Sequence, residues 1–117
     1  MKIKAGLCAL LAMFSFNSWS SERSEQAWEQ VEQGALLIDV RTPGEFSQGH
    51  LDGATNYPLN TVDKAFAKID KDTPIVVYCR SGARSGKAMS YLKQVGFKEV
   101  YNGGGLVEMQ STKPTSQ

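Results

Sequence analysis

The stretch from Ile75 to Ala88 reads IVVYCRSGARSGKA and gathers the residue types that do chemistry. Cys79 stands at the end of a β-branched run, and Arg80, Arg84 and Lys87 follow it closely. The thiolate, not the thiol, is the nucleophile, and nearby cations and the unpaired N–H groups of a helix start stabilise it. A strand–loop–helix turn can aim successive backbone N–H groups inward as a nest for an anion. Gly82 supplies the backbone freedom such a nest needs. The segment Cys79-Arg80-Ser81-Gly82-Ala83-Arg84 therefore predicts a thiolate facing a small anion. The plain alternative is a small cysteine packed at a strand end. That alternative leaves two arginines within five residues of the thiol unexplained.

The remainder of the chain sharpens the case for a working thiol. Lys2 and Lys4 precede an apolar run from Ala5 to Phe16, and Asn17 to Ser20 offers small residues for a cut after Ser20. This is the anatomy of a cleaved signal peptide over residues 1–20. The run is shorter than the roughly 20 apolar residues of a membrane span, and Cys8, at its start, has no apolar stretch before it to mark a lipid attachment site. Removing 20 of the 117 residues leaves 97, enough for one domain. That domain is expected over residues 21–109, with residues 110–117 as a flexible tail. Of the two cysteines only Cys79 then remains. Exported proteins usually hold cysteines in pairs, so a leftover one is a reactive thiol or an intermolecular partner. One Cys and one His do not make a metal site, and no cofactor is expected. The formal charge passes from +1 to −1 as Lys2 and Lys4 leave, which argues against nucleic acid and anionic membrane surfaces as partners.

The elements that must position the thiol follow from apolar spacing. Ser24 to Gln33 predicts a helix ended by Gly34, and Ala35 to Val40 a strand buried on both faces. Thr42-Pro43-Gly44 breaks that strand, Glu45 to Gln48 makes one helical turn, and Ala54 to Tyr57 is a second strand. Val62, Ala65, Phe66 and Ile69 share one face of a helix capped by Asn60 or Thr61. Ile75 to Tyr78 is the next strand, Ser85 to Val95 a helix, Phe97 to Tyr101 a further strand, and Leu106 to Met109 a short closing segment. Strands alternating with helices predict a three-layer α/β domain, with helices on both faces of a mainly parallel sheet of about five short strands. Working crevices in such sheets lie beyond the carboxyl ends of the strands, where Cys79 falls.

Asp39-Val40-Arg41, Glu45-Phe46, Gly49-His50-Leu51, Gly53-Ala54, Asn56 and Pro58 resemble the spaced motifs of the rhodanese family. The segment from Cys79 to Ser85 resembles that family's active-site loop, and Gly104-Gly105-Leu106 its glycine-rich segment. Together they span most of the mature chain, in order. The chain is most similar to single-domain, exported members of the phage-shock-protein-E type. The resemblance implies a rhodanese-like fold and a periplasmic, monomeric thiosulfate sulfurtransferase. In it Cys79 would accept a sulfane sulfur as a persulfide and pass it to cyanide or a thiol. Arg80 and Arg84, with Ser81, Gly82 and Ala83 of the loop, would bind the anionic donor. Asp39, Arg41 and Ser85 would support the site. Two departures stand out: many family members carry Trp where Met109 stands, which predicts looser packing there, and the chain ends soon after, which predicts a missing pocket wall.

Two rival functions use the same residues. A phosphatase or arsenate reductase on this architecture has the longer C-x5-R loop, whereas Cys79 to Arg84 is C-x4-R, a cradle better matched to a terminal sulfur than to a phosphoryl group. A binding or redox-sensing module would dock a partner without turnover. His50, the one histidine, reads as a hydrogen-bonding framework residue, because a loop-activated thiolate needs no base. Glu45, Glu99 and Glu108 show no paired partner in the sequence and receive no role.

Overall fold

The computed structural model describes residues 22–115, so the expected signal peptide lies outside the described residues. In chain order the elements are α1 (Glu22–Glu32), β1 (Leu36–Asp39), α2 (Pro43–Ser47), β2 (Thr55–Asn56), a 3-10 turn (Leu59–Thr61), α3 (Val62–Ala65), β3 (Ile75–Cys79), α4 (Ala83–Gln94), β4 (Val100–Gly105) and α5 (Leu106–Thr112). The four strands form one sheet in the order β2-β1-β3-β4, parallel at each pairing. About five strands were expected. The described residues hold four apolar runs of strand type, and each becomes one strand.

The unbroken apolar run of β3 is explained by what covers it. Ile75, Val77 and Cys79 face a core built with Phe66, Ala88, Leu92 and Phe97, while Val76 and Tyr78 face a second core with Ala27, Trp28, Leu51 and Met109. Successive residues of a strand point to opposite faces, so a central strand with helices on both sides has no solvent face to leave polar. All five residues of β3 are buried. The candidate nucleophile thus sits at the carboxyl end of a strand paired on both sides and buried on both faces.

The last strand, expected over Phe97 to Tyr101, runs instead from Val100 to Gly105, and three further boundaries that bear on the packing and the site also differ. The apolar stripe through Ile69 predicts a longer helix, yet α3 ends at Ala65. Phe66, at its C-cap, turns its N–H to the carbonyls of Lys64 and Val62 and tightens the chain. Val62, Ala65, Phe66 and Ile69 still pack on one core, so contact rather than helical hydrogen bonding accounts for the spacing. Second, α4 begins at Ala83, two residues nearer Cys79 than Ser85, which brings its first-turn N–H groups to the sulfur. Third, α5 continues to Thr112, whose hydroxyl bonds Ser24 of α1, while the Trp28 indole donates to the Met109 carbonyl at 2.8 Å.

Met109 corrects the expectation of loose packing. Its side chain is wholly buried, against Gly103 and Ala27. The register of β3 with β4 skips Gly103, which forms a bulge there, and the absent side chain at that position makes the room that Met109 fills. No described helix is long and apolar enough to cross a membrane.

Candidate active site

Cys79 ends β3 and is 1% exposed. Its Sγ accepts hydrogen bonds from the Gly82 N–H at 3.0 Å and the Ser85 N–H at 3.4 Å, and the Ser85 hydroxyl lies at 3.4 Å. Gly82, with φ of 99°, is the N-cap of α4, and this left-handed turn lets the loop curl around the sulfur. Burial pushes the thiol's pKa up, but the Ser85 hydroxyl and the amides of Ser85, Ser81 and Gly82 outweigh it, so the thiol is more acidic than an ordinary cysteine. Hydrogen bonds to the charged form decide the direction.

A second glycine segment closes the cradle. Gly105 pairs with Cys79 across the sheet, and any side chain on Gly105 would run into the Arg80 carbonyl. Asn102 fastens the two segments together. Its Oδ1 accepts from the Ser85 hydroxyl at 2.7 Å and from the Gly104 N–H at 2.9 Å, and its Nδ2 donates to the Gly82 carbonyl at 3.1 Å. The turn that offers its N–H to sulfur is thus held at its own carbonyl by a side chain from β4.

The loop arginines stand at the rim and share one carboxylate. Arg84 grips Glu45 with two bonds, Nη1 to Oε1 at 2.8 Å and Nη2 to Oε2 at 3.0 Å, and Arg80 Nε reaches Oε2 at 3.1 Å. Arg84 first, then the Thr42 amide and Arg80, holds the Glu45 carboxyl well below the usual carboxylate range. Glu45 is placed by a capping box: Thr42 accepts from the Glu45 N–H, and Glu45 Oε1 accepts from the Thr42 N–H. The Thr42-x-x-Glu45 spacing was a legible signal for the cap; nothing local signals the arginines it meets. Lys87 is exposed.

Deeper, Arg41 grips Asp39 by Nε at 3.0 and 3.1 Å and by Nη2 at 2.7 Å, and both side chains are almost fully buried. Arg41 Nη2 also donates to the Gly49 carbonyl, and the Asn56 amide donates to the carbonyls of Asp39 and Arg41. The pair therefore ties the end of β1 to the loop before β2. His50 stacks on Phe46 with ring centroids 3.7 Å apart, and its Nδ1 meets the Phe46 carbonyl. The hydrogen bonds at the sulfur come from Gly82 and Ser85, not from His50.

Four participants received no role from the sequence. Glu45 and Asn102 are two. Arg23 and Glu108 are the others: they form an ion pair beside the loop, and Arg23 also donates to the Ser81 carbonyl. Among the described residues no three metal-ligand side chains come together.

Residues 23–112 match the family model for the rhodanese-like domain. The chain is 36% identical over 112 residues to the thiosulfate sulfurtransferase PspE of Escherichia coli K12, covering 94% of this chain and 95% of that protein. It is 40% identical over 92 residues to a sulfurtransferase of Allochromatium vinosum, covering 78% of this chain and 85% of that one. Among solved structures it is similar to a rhodanese with anions from E. coli, with a TM-score of 0.60 and 40% identity over 64% of this chain and 91% of the other.

Proposed function

The chain belongs to the rhodanese-like domain family, and on that premise we propose that it is a thiosulfate sulfurtransferase carrying sulfur on Cys79. The observation that carries this reading is the sulfur itself: buried, met by loop N–H groups, and more acidic than an ordinary thiol. The relatives named as sulfurtransferases support it.

The Cys79 thiolate attacks the outer sulfur of thiosulfate. A bond forms between the two sulfurs, the bond within thiosulfate breaks, and sulfite leaves with its electron pair. The product is a Cys79 persulfide, whose terminal charge falls within reach of the same N–H groups. Cyanide or a thiolate then attacks the outer sulfur and returns the Cys79 thiolate, giving thiocyanate or a new persulfide. Neither transfer needs a general base, because every nucleophile enters as an anion. Ser81, Gly82, Ala83 and Ser85 line the turn that holds the charge. Arg80 and Arg84 bind the sulfonate end of the donor by charge-assisted bonds, taking it in exchange for Glu45. The four residues between Cys79 and Arg84 leave a cradle better matched to a terminal sulfur than to a phosphoryl group. The lysine-flanked apolar leader supports a periplasmic site of action.

Steady-state kinetics test the reading. With thiosulfate and cyanide varied together, double-reciprocal plots form parallel lines, as a double displacement requires, and Cys79→Ser is inactive. Aryl phosphate hydrolysis faster than thiosulfate consumption would overturn it in favour of a phosphatase.

A further inference from the structure

Arg23 lies far from Cys79 in the chain, in the first turn of α1, yet its guanidinium covers the active-site turn. Nε and Nη2 each donate to a Glu108 oxygen at 2.9 Å, and Nη2 also donates to the Ser81 carbonyl at 3.1 Å. A Cβ built on Gly82 would lie 2.7 Å from Nη2, and one on Gly104 would strike Glu108 and Arg23. Both glycines have left-handed backbone, with φ of 99° and 98°. The two turns thus leave the space into which this ion pair fits.

The Ser81 carbonyl and the Gly82 N–H are the two ends of one planar peptide unit, pointing in opposite directions. Arg23 holds the oxygen end. Cys79 Sγ takes the hydrogen end at 3.0 Å. Fixing the oxygen fixes the direction of the N–H, and a cation on the oxygen strengthens the bond the N–H makes, since linked hydrogen bonds polarise one another. We infer that Arg23 is a positioning residue that sets the reactivity of Cys79 through the Ser81–Gly82 peptide, making α1 part of the active site. The Cys79 charge also helps to raise the Arg23 pKa, behind the larger effect of the Glu108 hydrogen bonds. The charged groups around the sulfur are Arg23 from α1, Glu108 from α5, Arg80 and Arg84 from the loop and α4, Glu45 from α2 and Asp39 from β1. Of the three arginines, Arg80 and Arg84 act from the rim with Glu45, whereas Arg23 alone reaches the peptide whose N–H meets the sulfur.

This inference rests on reading Cys79 as the nucleophile, but its test needs no sulfur donor. The rate of Cys79 alkylation by iodoacetamide, followed against pH, gives the apparent pKa of the thiol directly. Arg23→Gln is expected to raise that pKa by about 0.5–1 unit and to slow alkylation about 3- to 10-fold below it. Arg23→Lys keeps a charge but not the forked geometry and is expected to recover only part of the loss. Glu108→Gln, which leaves Arg23 unbraced, shifts the pKa in the same direction by less. Glu29→Gln, an exposed change on the same helix, leaves it unmoved. Arg23→Gln that melts earlier but titrates like wild type would overturn the inference, since a purely structural brace predicts that pattern. If Arg23→Gln does not fold, the Glu108→Gln titration decides: an unchanged pKa there also overturns it. Absence of sulfur transfer in the wild type would instead count against the proposed function and leave the titration result standing.

Discussion

Asp39–Arg41 and Glu45–Arg84 are the same chemical pair, a carboxylate gripped twice by a guanidinium, placed in two different settings. The first has side chains 0% and 3% exposed and fastens backbone carbonyls on two loops. The second has side chains 20% and 34% exposed, with Arg80 at 66% joining from solvent. Burial separates their roles. A charge with no water to fall back on cannot lose its partner, so Asp39–Arg41 belongs to the framework. A pair at the rim can exchange its carboxylate for another anion at little cost, so under the proposed function Glu45 would be a resident stand-in that keeps the arginines aimed for the donor.

Breaking the framework pair has the largest expected effect. Asp39→Ala strands the Arg41 guanidinium and is expected to cost about 3–5 kcal/mol of stability, read from urea denaturation. An equal cost for Glu45→Gln would erase the distinction. Next comes Arg84→Gln, which under the proposed function removes charge-assisted bonds to the donor, each about 1.5–3 kcal/mol. It should raise the thiosulfate KM about 10- to 100-fold, with melting little changed. A fall in kcat at constant KM would place Arg84 in the chemistry rather than in binding. Smaller still, Glu45→Gln frees both arginines and is expected to lower the thiosulfate KM a few-fold at low salt, an advantage that fades as salt screens the rim. Its effect on stability should stay under about 1 kcal/mol.

The smallest effect is the acid response of the rim pair. The Glu45 pKa is lowered from the ordinary 4.5 by Arg84, the Thr42 amide and Arg80, so the folded state binds fewer protons than the unfolded state as pH falls. The stability this gives is complete above 4.5 and drains away below it. Glu108, lowered chiefly by Arg23, behaves the same way. The melting difference between wild type and Glu45→Gln should therefore shrink as the pH is taken below 4.5, and a difference that widens would show that the pair is not what holds Glu45 ionised.

The contrast also explains what could be read from the sequence. The thiol, its loop and its strand are contiguous, so β-branched spacing and one glycine sufficed to place Cys79 at the carboxyl end of a buried strand. A parallel sheet flanked by helices followed from the alternation of strands and helices, but with four strands in place of about five. Glu45 meets Arg84 across 39 residues of chain, and Arg23 meets Glu108 across 85. No local pattern encodes such meetings, because they exist only once the sheet has brought the strand ends together. Met109 was misjudged for a related reason: its fit depends on the bulge at Gly103, a backbone feature of another element.

Intact mass after one exposure to thiosulfate tests the central claim most directly. The wild-type protein is expected to gain the mass of one sulfur atom and lose it on addition of cyanide, and Cys79→Ser to gain nothing. A protein that keeps its original mass with thiosulfate in excess, while its thiol still alkylates, would contradict the claim that Cys79 carries sulfur.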